Sequence, residues 1–280
     1  MKNLRVFCLA VALVALPASG CGGGAPSLPS PTASFQRDGG AARWIPAADE
    51  SYQIQYTGKL DLRVPAAIYD LDGFDTPVSV VTQLHSRKRR AICYMDAGTW
   101  EKWRPDAKTF PKKVLGEPVS HWPGERWLDV RQTAILDPIM GKRLDICKEK
   151  GFDGVDPDNI DGYTNDTGFP LTAAEQLTYD TWIAKAAHER GLTVDQKNDN
   201  GQVKELSKVF DFAVVEQCYV QGWCKQFAVY TKANRLVVDV EYGLSQQQFV
   251  TKTCADDARY DETAILKKLQ LTAWIVTCKN

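Results

Sequence analysis

The stretch GFDGVDPDNIDGY, Gly151 to Tyr163, begins as a short apolar strand and ends as a concentration of acids. Asp153, Asp156, Asp158 and Asp161 fall within it, with Asn159 between them. Like charges a few Å apart repel, and burial disfavours the charged form of an acid. A cluster of this kind persists where a metal, a cationic ligand or acid–base chemistry uses it. Taken alone, the stretch fits an Asx-rich turn equally well, because Asp and Asn hydrogen-bond their own backbone in loops. The neighbouring elements have to decide.

On the C-terminal side, Thr172 to Arg190 reads as a helix. Thr172 caps it with Glu175 three residues on, and Gly191 ends it. Leu192–Val194 is a strand delivering Asp195, Lys197, Asn198 and Asp199, followed by a short helix over Val203–Lys208. Phe210–Val215 delivers Glu216 and Gln217, and Arg235–Val240, after a helix over Trp223–Asn234, delivers Glu241. A helix after Ser245 leads to a final strand, Leu271–Val276. On the N-terminal side, Ile135–Lys150 is an amphipathic helix closed by Gly151, and Trp127–Val130 is a short strand. Ala91–Met95 is a strand ending at Asp96, with Trp100 and Trp103 close behind. Val64–Tyr69 is another, ending at Asp70 and Asp72, with a helix over Thr76–Arg87 between the two. Before these, Tyr52–Tyr56 alternates as a strand does.

Strands that alternate with helices, and are apolar runs throughout, fit a parallel sheet covered on both faces. Counting from Ala66 gives about eight, which predicts a single (β/α)8 barrel of TIM type, at the usual length of about 250 residues. A doubly wound sheet would carry a glycine-rich phosphate loop, and neither GxGxxG nor GxxxxGK[ST] follows any strand.

In such a barrel the loops after the strands build the site. The strand ends would gather Asp70, Asp72, Asp96, Asp156, Asp158, Lys197, Asn198, Glu216 and Glu241, with Tyr94, Trp100, Trp103 and Tyr163 nearby. Carboxylates facing aromatic rings suit a sugar, with acids for proton transfer or nucleophilic attack and ring faces for the apolar side of a pyranose. Glycoside hydrolysis needs two carboxyl groups, and Asp158 and Glu216 end strands four and six. The excess of acids suggests a cationic substrate such as an amino sugar. DPDNIDG superficially resembles a calcium loop, but Ile160 and Thr167 stand where oxygen ligands belong and a proline interrupts. No metal and no cofactor are expected.

Lys2 and Arg5 precede an apolar run from Val6 to Leu16, then small residues leading into Cys21. This predicts a signal peptide over 1–20 of lipoprotein type, with Cys21 lipidated, although Ala18 stands where Leu is commoner. A Gly/Ser/Pro-rich tether follows over 21–43, and the folded domain spans 44–280. The product would be exported: secreted or held on a bacterial membrane by its lipid alone. With 34 basic and 35 acidic residues, bulk charge gives no argument for nucleic acid. A monomer is expected. Apart from Cys8 and Cys21, the cysteines are Cys93, Cys147, Cys218, Cys224, Cys254 and Cys278, an even set that argues for disulfides in an exported domain. Fifteen pairings are open. Proximity and closure of the C-terminal end suggest Cys218–Cys224 and Cys254–Cys278.

The blocks ICYMDAGTWEKWRPD, GERWLDVR, GFDGVDPDNIDGY, AHERGLTVDQKND and FDFAVVEQC, in that order and spacing, resemble glycoside hydrolase family 114 from about Trp44 to Cys278. The resemblance implies an endo-α-1,4-polygalactosaminidase on a TIM barrel, acting on a galactosamine-containing exopolysaccharide. It implies Asp158 as nucleophile, Glu216 as general acid/base and a retaining mechanism. Asp156, where the family often has Glu, would be a substrate-binding or pKa-setting neighbour. Lys197 and Asn198 match the family's KND, while Gln196 and Met95 depart from its commoner residues. Asp70, Tyr94, Asp96, Trp100, Asn159, Tyr163 and Glu241 complete the expected sugar-binding set. Two other readings remain: a surface sugar-binding lipoprotein without turnover, and an α-galactosidase-like hydrolase of neutral sugar.

Overall fold

Eight short runs of mostly apolar residues form the parallel strands of one curled sheet in the computed structural model, which describes residues 34–36 and 43–278. They are β1 (Tyr52–Gln55), β2 (Ile68–Asp72), β3 (Arg90–Asp96), β4 (Gly154–Asp158), β5 (Thr193–Lys197), β6 (Phe212–Glu216), β7 (Val237–Tyr242) and β8 (Thr263–Lys267), paired in chain order. Alternate residues face opposite ways along a strand. Ile54, Ile68, Ile92, Phe212, Val214, Val238, Val240 and Ile265 therefore share one buried apolar cluster inside the curl. The intervening residues, Leu71, Cys93, Met95, Val155, Val194 and Val215 among them, pack outward. There they meet the helices α1 (Val78–Ser86), α2 (Thr133–Glu149) and α3 (Ala173–Glu189). The architecture is α/β and consistent with a TIM-type barrel.

The helix read at Thr172 begins with the capping box its sequence advertises. Thr172 accepts from the Glu175 N–H, and the Glu175 carboxylate accepts from the Thr172 N–H at 2.9 Å. Trp223–Asn234 differs from its reading. It is a 3-10 turn, Cys224–Phe227, running into a short helix, Ala228–Thr231, with the Cys218–Cys224 disulfide holding the first turn.

Three strand assignments change. Trp127–Val130 is not a barrel strand: Glu125–Leu128 is the middle of a three-stranded antiparallel sheet, between Thr99–Glu101 and Leu115–Pro118. Tyr52–Gln55, outside the count made from Ala66, is β1. The last barrel strand is Thr263–Lys267 rather than Leu271–Val276. The helix before β8 ends at Asp261 with φ 56°, a left-handed stop that Asp tolerates without the glycine or proline that would mark it in sequence. The shifts cancel in the count, so Asp158 and Glu216 still end strands four and six.

No strand ladder joins β1 to β8 among the described residues. The chain after β8 turns back into the gap: Val276–Thr277 pairs antiparallel with β8, and the Leu271 carbonyl accepts the Tyr56 N–H at 3.0 Å. Gln53 bridges both sides. It donates to the Ala273 carbonyl at 3.1 Å and accepts from Lys267 Nζ at 2.8 Å. The Cys254–Cys278 disulfide pins this return segment. Cys93–Cys147 ties β3 to α2, so all six domain cysteines are paired, including both suggested pairs. Ser34–Gln36, within the stretch read as a tether, pairs antiparallel with Arg43–Ile45, and the buried Arg43 guanidinium meets the Asp211 carboxylate at 3.0 Å. The signal peptide and Cys21 lie outside the described residues.

Candidate active site

Three neighbouring strands end in the same way. β4 stops at Asp158 and turns at Asn159 (φ 62°). β5 stops at Lys197 and turns at Asn198 (φ 50°), and β6 stops at Glu216 and turns at Gln217 (φ 59°). Left-handed backbone is uncommon for residues other than glycine, and Asn accepts it best. Such turns occur where the surrounding structure over-determines them, often at functional sites. Here they follow directly on Asp158, Lys197 and Glu216, which end three adjacent strands on the inward alternation. The loop after β3 clamps the same place. The Ala97 and Gly98 N–H groups donate to the Asp158 carbonyl at 3.0 and 3.1 Å, and a Cβ on Gly98 would lie 1.7 Å from the Asn159 oxygen.

Asp158 is 22 % exposed, and both its oxygens are engaged. Oδ1 lies 3.1 Å from Lys197 Nζ and accepts the Asn159 N–H at 2.9 Å; Oδ2 accepts the Tyr94 hydroxyl at 3.0 Å. Lys197 Nζ also lies 3.6 Å from Asp156 Oδ2. Burial disfavours the Lys197 ammonium, but the charges of Asp156, Asp158 and Glu216 outweigh it and hold the amine protonated, its pKa well above the ordinary value. Glu216 Oε1 accepts the Tyr242 hydroxyl at 2.7 Å, and its backbone N–H donates to Asn198 Oδ1 at 2.8 Å. The second turn residue thus anchors the strand that carries Glu216.

Further carboxyl groups surround Asp158. Burial, then Glu101 and Asp158, push Asp96 up to about 7. Its carboxyl accepts from the Thr99 N–H at 2.6 Å, from the Thr99 hydroxyl and from Asn159 Nδ2 at 2.8 Å. Burial, then Asp96, Glu101 and Asp158, push Glu125 up to about 8, and burial with Asp158 raises Asp161 to about 6. The Tyr56 hydroxyl lies 2.9 Å from Asp70 Oδ2 and 3.0 Å from Asp156 Oδ2, so its one proton is shared between two acids.

The structure therefore brings Asp70, Tyr94, Asp96, Asp156, Asp158, Asn159, Lys197, Asn198 and Glu216 into one network. Other members of the expected set are engaged elsewhere. Glu241 Oε1 accepts from the Tyr219 and Val220 N–H groups at 2.9 and 3.2 Å, facing a short helix rather than the mouth. Tyr163 donates to Asp199 at 2.8 Å, and the Trp100 indole to the Ala107 carbonyl at 2.9 Å. Asp72 accepts from the Phe74 and Asp75 N–H groups and from Arg104 and so holds its own loop. Sequence reasoning missed Tyr56, Glu125 and Tyr242. Tyr242 had a signal: it follows Val238 and Val240 on the inward alternation of β7. Glu125 had none, since its own hairpin delivers it.

A curled parallel sheet with paired carboxyl groups at its C-terminal mouth defines this chain as a glycoside hydrolase. It belongs to glycoside hydrolase family GH114, whose family model matches residues 33–280. Among solved structures it is similar to Aspergillus fumigatus Ega3, in complex with galactosamine. The two share 34 % identity over 84 % of this chain and 97 % of that one, with a TM-score of 0.80. The glycoside hydrolase domain of PelA from Pseudomonas aeruginosa shares the fold at 12 % identity, covering 81 % of this chain and 98 % of its own, with a TM-score of 0.64. Among curated proteins, none matches this chain in sequence.

Proposed function

We propose that the enzyme cleaves α-1,4-linked galactosamine polymers internally, with Asp158 as nucleophile and Glu216 as general acid and then base. The observation that carries this reading is the contrast between the two acids. Asp158 is fixed from three sides by Lys197, Tyr94 and the Asn159 N–H, as an attacking group should be. Glu216 has one phenol partner, Tyr242, and keeps an oxygen for the glycosidic bond.

In the first step Glu216 gives its proton to the leaving oxygen while Asp158 bonds to the anomeric carbon. In the second, Glu216 takes a proton from water, which displaces Asp158. Asp96, Glu125 and Asp161 surround the mouth with carboxyl groups and few cations, which favours an ammonium-bearing sugar. The bound galactosamine of Ega3 supports the same substrate class.

The enzyme acts outside the cytoplasm as a monomer, after removal of residues 1–20, and is held by a lipid on Cys21 or released. Asn159, Lys197 and Asn198 shape the sugar subsites, while Asp70 lies buried beneath them. Among the described residues no helix is long and apolar enough to cross a membrane.

Product analysis on galactosaminans of graded acetylation tests this reading. Shortened oligomers are expected, and Asp158→Asn and Glu216→Gln should each lower turnover by at least about a thousandfold without loss of folding. Normal activity in either variant sinks the assignment. Early release of the β-anomer, followed by NMR, excludes retention.

A further inference from the structure

Beneath Asp158 the curl holds carboxyl groups that the proposed reaction never touches. Asp70 of β2, Asp156 of β4 and Asp195 of β5 have no exposed surface. The β4–β5 register pairs Gly154 with Thr193 and Val155 with Val194, and its next step sets Asp156 opposite Asp195. The Tyr56 hydroxyl lies within hydrogen-bond reach of both Asp70 Oδ2 and Asp156 Oδ2, so the three acids are neighbours.

The donors around this cluster are few. Tyr52 and Tyr56 both donate to Asp70 Oδ2, and Lys197 and Tyr56 reach Asp156 Oδ2. Among the described residues, no N–H or O–H faces Asp70 Oδ1, Asp156 Oδ1 or either oxygen of Asp195. An ionised carboxylate only accepts, so these buried oxygens stay unpaired unless the acids themselves carry protons. Beyond burial, the charges of Asp156 and Asp70 push Asp195 further in the same direction, and Lys197 opposes them. Burial and these neighbours move Asp70 and Asp195 in the same direction, toward the neutral form.

We propose that Asp195 and Asp70 are positioning residues: each donates a hydrogen bond to Asp156 and so makes it the second partner of Lys197. The ammonium is then shared between Asp156 and Asp158 instead of falling whole on Asp158. A carboxylate that carries a full ion pair must give it up as its charge passes into the new bond. Sharing Lys197 lightens that penalty on the attacking group. This rests on the assignment of Asp158 as nucleophile.

Infrared difference spectra of the intact protein at neutral pH test the protonation directly. A carboxylic-acid carbonyl band is expected, and Asp195→Asn should remove one component of it. Kinetics on galactosaminan test the role. Asp195→Leu, which removes the donor, should lower kcat on the order of tenfold, the scale of coupling within one hydrogen-bonded network, with KM little changed. Asp195→Asn, which keeps a donor, should recover most of that loss.

A spectrum in which Asp195→Asn removes no acid band overturns the proposal, even if Asp195→Leu fails to fold. Equal damage in both variants, or full kcat in Asp195→Leu, overturns it as well. If the wild-type enzyme cuts no galactosaminan, the functional reading fails, while the spectra still decide the protonation.

Discussion

Gly98 sits where the loop after β3 presses against the turn that carries Asp158. Its N–H donates to the Asp158 carbonyl, and its missing side chain leaves room for the backbone of Asn159. In Gly98→Ala a methyl group would have to occupy a point 1.7 Å from a carbonyl oxygen, so the Asp158–Asn159 turn must move. Displacement of a reacting group by about 1 Å can cost on the order of a hundredfold in rate. Gly98→Ala should therefore lower kcat on that scale, measured on purified polymer. A rate equal to wild type would show that the turn is not clamped. At this scale much of the site was legible. Glu216 stands out because it interrupts an apolar run at its last position, and Asp158 and Lys197 because they close short strands that each already hold an acid. Their tyrosine partners were not, because a tyrosine beside a strand is equally at home in a core.

Among the elements, β3 and α2 are joined by a buried disulfide, Cys93–Cys147, 54 residues apart in sequence. Between them the chain makes the three-stranded excursion that carries Glu125 and the half-exposed Trp103 and Trp122. Chain-entropy reasoning for a loop of that length gives about 4 kcal/mol of stabilisation. Replacing both cysteines with alanine should lower the denaturation free energy by roughly that amount, read from urea unfolding in matched buffers. A change below about 1 kcal/mol would mean that the helix packing alone fixes α2. This excursion is also where sequence reading failed. Trp127–Val130 is a short apolar run between polar turns, and such a run looks the same whether its ladder partner is a parallel barrel strand or a hairpin neighbour. The long helices were legible for the opposite reason, since Thr172, Glu175 and Gly191 specify ends as well as a face.

Across the whole molecule, buried acids with raised pKa values set the response to pH. Burial is the first cause for Asp96 and Asp199, raised to about 7, and for Glu125 and Glu262, raised to about 8. Unfolded, such groups titrate near 4. Between about 4 and 8 the folded protein thus binds more protons, and its stability falls as pH rises through that window. Asp129 and Asp211 are lowered despite burial, by Arg131 and by His188 and Arg43, and their contribution is lost below the usual carboxylate range. Thermal unfolding should accordingly give its highest Tm between about pH 4 and 6 and a clear decline by pH 8. A Tm that rises from pH 5 to 8 would mean that these acids are ionised in the folded state. The overall architecture was legible in the alternation of apolar runs and helices, and strand order survived two compensating errors. The closure was not legible, because no local pattern tells a last parallel strand from a returning one.

That closure has a consequence for how the protein forms. The sheet is a ribbon whose two edges are joined by the segment after β8, and the bond from Gln53 to Ala273 spans 220 residues. Contacts so distant along the chain are slow to form, because loop-closure entropy must be met before they contribute. During synthesis, β1 emerges early and has to wait for nearly all the rest before its outer edge is covered. The first barrel strand is thus the last to be completed, and the Cys254–Cys278 bond fastens the segment that completes it.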